Sequence, residues 1–122
     1  MSENLTKGQQ AEQAAADYLM KQGYILLARH YCCRGGELDL VAEHDGCLVF
    51  AEVKYRSSSA YGSPEEAITP QKIRSLSRAA AAYLAEKGGW EGAMSFDVIA
   101  VLGPTMTEVR HYVNAFTPFG LA

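Results

Sequence analysis

Two apolar strand patterns meet at Asp45-Gly46, and that dipeptide constrains the chain more than any other feature. Gly36-Glu37-Leu38-Asp39-Leu40-Val41 leads into it, and Val49-Phe50-Ala51-Glu52-Val53-Lys54 leads out. Asp-Gly between such patterns marks a two-residue hairpin, because both residues tolerate the positive φ of its turn. With Asp45 and Gly46 as the loop, His44 pairs with Cys47. Counting back, Asp39 faces Glu52 and Glu37 faces Lys54. Directly opposed residues share a sheet face with Cβ atoms ~4.5–5.5 Å apart. Two carboxylates that close repel by roughly 3 kcal/mol at an effective dielectric near 20. A proton, a lysine or a metal cation must offset the repulsion, so the hairpin is a candidate metal-dependent active site. A loop one residue longer, with a bulge, would leave Asp39 diagonal to Glu52.

The chain has 122 residues, which suits a single domain over 1–122. Its net charge of −3 and pI of about 5.6 argue against a nonspecific nucleic-acid coat protein. They leave a nuclease open, since site acids lower net charge and a metal reverses the local potential. No apolar run approaches the ~18–20 residues that cross a bilayer. Met1-Ser2-Glu3-Asn4 lacks the basic and apolar regions of a signal peptide, so a cytoplasmic protein without membrane contact is expected. Cys32, Cys33 and Cys47 are odd in number and two are adjacent, which disfavours a disulfide framework.

Thr6 is placed to cap a helix ending near Gln22, with Gly23 as its stop. Ala11, Ala15, Tyr18 and Leu19 form its apolar stripe, and Glu12 sits awkwardly beside it. Tyr24 to Ala28 reads as a strand, and Arg29 to Gly36 as a polar connection. Glu37–Glu43 and Cys47–Arg56 are the next strands, the latter apolar on both faces at first, as a central strand is. A small-residue loop at Ser57–Pro64 and a short helical turn at Glu65–Ile68 follow. Thr69-Pro70 then opens a long helix whose buried face is Ile73, Leu76, Ala80, Tyr83 and Leu84, ended by Gly88-Gly89. Ser95–Val101 is a fourth strand and Glu108–Asn114 a fifth. The fold class is α/β: a single mixed β-sheet with flanking helices.

An aspartate facing a glutamate supplies hard oxygen ligands of the kind that hold Mg²⁺ or Mn²⁺. The Val53 carbonyl could add a ligand from the backbone. Lys54 lies one pleat beyond Glu52 on the same face, where it could hold or deprotonate a water or stabilise charge on phosphorus. Acids, lysine and metal together make a phosphodiester hydrolysis site. The bland alternative is a cross-strand ladder of Glu37 with Lys54 and Asp39 with Arg56 or a solvent cation. Apolar flanks on both strands argue against a plainly solvated face.

Asp39 followed by Glu52-Val53-Lys54 resembles the PD-(D/E)XK nuclease motif. The wider pattern, Gly36 to Val41 with Val49 to Arg56, is similar to the bacterial YraN family, itself related to archaeal Holliday junction resolvases. Gly8, Glu12, Ala15, Tyr18-Leu19, Gly23-Tyr24, Tyr61-Gly62-Ser63-Pro64, Lys72, Phe96-Asp97-Val98 and Asn114-Ala115-Phe116 extend the likeness over nearly the whole chain. The resemblance implies an αβββαβ restriction-endonuclease-like core. It implies Asp39 and Glu52 as metal ligands, Lys54 as the catalytic lysine and Glu12 as the first-helix acid. Lys72, or Gln71 beside it, would approach from the second long helix. Two positions depart from the pattern: His30 stands where asparagine is expected, and Ser95 where arginine often precedes the Phe-Asp pair.

Several basic residues flank the expected site, with Arg34 and Arg56 the candidate phosphate contacts together with Gln71. A zinc cluster of His30, Cys32, Cys33, His44 and Cys47 fits the usual ligand spacings poorly. Three functions remain open: a metal-dependent DNA endonuclease acting on branched DNA, a nuclease-fold nucleic-acid binder that does not cut, and an interaction module with a vestigial site. Cutting both strands of a symmetric junction needs two sites, which leaves a homodimer open.

Overall fold

The computed structural model describes residues 5–57 and 68–120. Helix α1 (Lys7–Lys21) is followed by strands β1 (Ile25–Cys33), β2 (Gly36–His44) and β3 (Cys47–Arg56), helix α2 (Pro70–Lys87), and strands β4 (Met94–Leu102) and β5 (Glu108–Tyr112). The strands form one sheet in the order β1-β2-β3-β4-β5. Only β3 and β4 run parallel, joined by the crossover that contains α2. This is the mixed α/β sheet with flanking helices of a restriction-endonuclease-like core. Most of the Ser57–Pro64 loop and of the Glu65–Ile68 turn lies outside the described residues.

Both helices begin where side chains satisfy their free N–H groups. The Gln9 amide donates to Thr6 Oγ1 at 3.1 Å, and the Thr6 amide donates to the Gln9 side chain at 2.9 Å. This reciprocal box leaves two fewer orphan donors at the helix start. Thr69 accepts from the Lys72 amide at 3.1 Å, and Pro70 occupies the first turn, where no N–H is missed.

Alternate residues of the same strands pack on opposite helices. Leu40, Ala42, Ala51, Ile99 and Val101 meet Ala11, Ala15, Ala16 and Leu19 of α1. Val41, Leu48, Phe50 and Phe96 meet Leu76, Ala79, Ala80 and Tyr83 of α2. A sheet buried on both faces needs such apolar runs, and β3 lies at its middle. The turn between β1 and β2 presses against α2. A Cβ on Gly36 would fall 2.1 Å from the Ser75 carbonyl oxygen, so only glycine fits.

β1 is longer than the sequence reading expected. Arg29 to Cys33 is strand, not connection, paired with Gly36 to Leu40. Its polar character reflects its place at the sheet edge, where one side faces solvent. A register shift between Leu26 and Ala28 and a left-handed His30 (φ 51°) interrupt its periodicity.

Candidate active site

The turn at Asp45-Gly46 has φ of 49° and 79°, as the two-residue hairpin requires, and His44 pairs with Cys47. The register then runs through Glu43–Leu48, Ala42–Val49, Val41–Phe50 and Leu40–Ala51, and there the ladder ends. Hydrogen-bonded pairs alternate along an antiparallel ladder, so Leu38 and Val53 would come next after Leu40 and Ala51. Instead the Val53 N–H donates to Asp39 Oδ2 at 2.8 Å. The side-chain carboxylate replaces a backbone acceptor where β2 parts from β3.

Asp39 also sits where the β1–β2 ribbon exchanges its faces. Leu40 packs toward α1, but Leu38, two residues away, packs toward α2. Opposite them, Arg29 reaches Gln13 of α1 at 2.8 Å, whereas the Tyr31 hydroxyl reaches Glu86 of α2 at 2.7 Å. His30 and Asp39 face each other between the Arg29–Leu40 and Tyr31–Leu38 pairs. The exchange turns Asp39 toward a cavity of about 450 Å³ under α1, lined with it by Thr6, Gln9, Glu12, His30, Val53 and Tyr55.

Glu52 lies beside Asp39, close enough for the two carboxyl groups to interact directly. It is 4% exposed, and its Oε2 is 3.3 Å from Lys54 Nζ and 3.2 Å from Lys72 Nζ. Burial works against the Lys72 ammonium, but the Glu52 carboxylate outweighs it and the pKa is raised. Asp39 has no such cation among the described residues. Burial first, then the Glu52 carboxylate, push its pKa up to about 7; the Val53 N–H opposes the rise. The repulsion inferred from the hairpin is thus met by two lysines on one carboxylate and a proton on the other.

The cross-strand Glu37–Lys54 pair does not form. Lys54 turns to Glu52, and Glu37 follows β1, with its Oε2 3.7 Å from His30 Nε2 and 3.6 Å from Cys32 Sγ. The reason is the parting of the strands after Leu40–Ala51. Glu12 enters the cavity from α1, with Oε2 3.5 Å from His30 Nδ1. Glu12, His30 and Asp39 each offer a ligand atom within 4.8 Å of the others, a donor set that fits a divalent cation. Arg34 is exposed in the β1–β2 turn and Gln71 on the first turn of α2, while Arg56 donates to the Tyr55 carbonyl at 2.9 Å. The five zinc-type residues split into two groups. His44 stacks on Tyr24 with ring centroids 4.2 Å apart at the hairpin end, and His30 and Cys32 lie beside Glu37.

His30 is the member of the cavity that motif reading did not assign to it. Counting back from the Arg34-Gly35 turn places it opposite Asp39, so the signal was present in the register. A second polar cluster ties β4 to β5. Asp97, fully buried, accepts from the Asn114 N–H at 3.1 Å and from the Ser95 hydroxyl, and lies 2.6 Å from His111 Nε2. Ser95, where arginine was expected, serves this cluster and not the cavity.

The sheet order, its single parallel pair and the two covering helices define a restriction-endonuclease-like α/β protein, with acids and lysines gathered at an opened ladder. Residues 11–101 match the family described as "Uncharacterised protein family UPF0102". A UPF0102 protein from Syntrophomonas wolfei is 46% identical over 114 residues, covering 93% of this chain and 99% of the relative. One from Lachnoclostridium phytofermentans is 47% identical over 119 residues, covering 97% and 95%. UPF0102 protein GSU0650 from Geobacter sulfurreducens is 44% identical over 115 residues, covering 93% and 90%. The chain belongs to the UPF0102 family, the YraN family of the sequence resemblance. No helix among the described residues is long and apolar enough to cross a membrane.

Proposed function

We propose that this protein is a metal-dependent DNA endonuclease that hydrolyses phosphodiester bonds, with branched DNA as its substrate class. The observation that carries the reading is the Asp39 carboxylate held by the Val53 N–H at the end of the β2–β3 ladder, beside Glu52. Asp39 and Glu52, with the Val53 carbonyl, would hold Mg²⁺ or Mn²⁺, and Glu12 would close the site from α1. The bound cation would supply a water of lowered pKa and neutralise charge on the phosphoryl oxygens. Lys54 presents its ammonium next to Glu52, where it orients the attacking water and offsets the charge developing on phosphorus. Lys72 locks Glu52 from α2 and leaves Lys54 free to turn toward substrate. Arg34, Arg56 and Gln71 contact the DNA backbone. The enzyme works in the cytoplasm, and a homodimer would supply the second cut of a symmetric junction.

One observation favours a second reading. Glu52 already holds two lysines, an arrangement that suits a nuclease-fold protein binding nucleic acid without cutting. The complete set of Glu12, Asp39, Glu52 and Lys54 disfavours an interaction module with a vestigial site. Incubation of branched and linear DNA with the protein in Mg²⁺ and in Mn²⁺, alongside Asp39→Ala, decides among these. Metal-dependent cutting lost in Asp39→Ala is expected. Cutting that Asp39→Ala leaves unchanged, or none at all, sinks the nuclease. Salt-sensitive binding without cutting supports the second reading.

A further inference from the structure

His30 carries a left-handed backbone, φ 51°. A non-glycine residue there costs of order 1 kcal/mol and persists where surrounding structure holds it. Asparagine, the residue expected at this position, tolerates that conformation better and cannot offer an imidazole. The ring has a carboxylate at each nitrogen. Nδ1 is 3.5 Å from Glu12 Oε2, and Nε2 is 3.7 Å from Glu37 Oε2. Glu12 and Asp39 line the cavity with His30, and Glu37 stands outside it.

Two ligands bound at ~2.1 Å to one octahedral ion lie about 3.0–4.2 Å apart, depending on whether they are neighbours or opposed. The Nδ1–Oε2 separation falls in that range. A metal-bound histidine nearly always gives its other ring N–H to a carboxylate, which fixes the tautomer and aims the free lone pair at the metal. Glu37 Oε2, 3.7 Å from Nε2, lies just beyond hydrogen-bond reach and would take that role after a small approach. Among the described residues no lysine forms an ion pair with Glu37, because Lys54 has gone to Glu52.

We infer that His30 binds a divalent transition metal through Nδ1, together with Glu12 and Asp39, and that Glu37 positions the ring from Nε2. The site so formed selects Mn²⁺ over Mg²⁺. Imidazole nitrogen is a poor ligand for Mg²⁺, which prefers oxygen and keeps its waters, and a better one for first-row transition ions. The inference rests on reading the cavity as a metal site and extends that reading to a ligand and a metal class. It does not depend on whether the protein cuts.

The test is Mn²⁺ and Mg²⁺ titration of the metal-free protein by calorimetry, with pulsed electron paramagnetic resonance on the Mn²⁺ form. Wild type should bind Mn²⁺ at least about tenfold tighter than Mg²⁺ and show nitrogen coupling from a bound imidazole. His30→Asn, which suits the backbone, should lose the nitrogen coupling and most of the Mn²⁺ preference, with Mg²⁺ affinity within about twofold. His44→Asn should change neither. Glu37→Gln should keep the nitrogen coupling and weaken Mn²⁺ binding about tenfold. Unaltered selectivity in His30→Asn, or no nitrogen coupling in wild type, would overturn the assignment. DNA cutting by wild type, together with Mn²⁺ affinity that His30→Asn leaves unaltered, would retain the nuclease and discard the imidazole ligand. Nitrogen-coordinated Mn²⁺ without DNA cutting would do the reverse.

Discussion

The Val53 N–H donates to the Asp39 carboxylate over 2.8 Å at the point where β2 and β3 separate. One carboxylate oxygen therefore completes the sheet, and the other is left for the cavity. The fold thereby holds an acid at a fixed place with no lysine or arginine paired to it among the described residues.

That placement makes Asp39 sensitive to pH. Its pKa in the folded chain is about 7, above the unfolded value near 3.9. The folded state keeps a proton that the unfolded state has lost between those values. Its contribution to stability is full below about pH 4 and gone once the pH passes about 7. Asp39→Asn cannot ionise and still accepts from Val53. It should be more stable than metal-free wild type at pH 8, by up to about 4 kcal/mol, and nearly equal to it at pH 4. Urea denaturation at both pH values checks this. Metal must displace the same proton, so Mn²⁺ affinity should rise by about tenfold per unit up to pH 7 and then level. A flat profile would remove Asp39 from the ligand set.

Glu52 depends on its two lysines. Replacing Lys72 by methionine should cost about 1 kcal/mol, since Lys54 remains. Replacing both should cost about 3–5 kcal/mol, because a buried carboxylate is left unpaired. Adding Glu52→Gln to the double variant should restore much of the loss. Chemical denaturation of the set gives the coupling. Equal, additive losses without rescue would mean that the lysines act by packing alone.

Two glycines should fail for different reasons. Gly46→Ala meets no atom within 4 Å and pays only for its left-handed backbone, about 1–2 kcal/mol. Gly36→Ala drives a Cβ into the Ser75 carbonyl and must push β2 off α2. It should destabilise by more than about 3 kcal/mol or prevent folding, judged by thermal melts of the two variants. Equal losses would contradict the close approach of turn and helix.

Asp97 should matter for folding and not for metal. Asp97→Ala removes the acceptor of Ser95 and of the Asn114 N–H and the partner of His111. The expected cost is about 3 kcal/mol, from buried polar groups left unsatisfied. Folded Asp97→Ala, kept at low temperature, should bind Mn²⁺ like wild type. Lost metal binding in a folded variant would join the two clusters.

The hairpin was legible because its turn admits few residue types and fixes register directly. The helix starts at Thr6 and Thr69 were legible from capping chemistry, and the central strand from its two apolar faces. Beyond Leu40–Ala51 the sequence rule holds only in part: Asp39 and Glu52 still come together, but Glu37 and Lys54 do not pair. The exchange of faces at His30–Asp39 arises from a left-handed residue and a side chain that captures a backbone donor. Neither leaves a periodic trace. For the same reason Arg29–Cys33 reads as a polar connection although it is strand. The Asp97 cluster joins residues up to 19 positions apart across β4 and β5, and only tertiary structure brings them together.

The nuclease reading is tested most directly by single-turnover cleavage of a labelled four-way DNA junction, comparing wild type with Lys54→Met in Mn²⁺ and Mg²⁺. Lys54→Met keeps Asp39, Glu12 and His30, so junction binding should stay within a few fold. Cleavage should fall by about 10²-fold or more, because the group beside the attacking water is gone. A wild type that leaves the junction intact in both metals, or a Lys54→Met that cuts as fast as wild type, would contradict it.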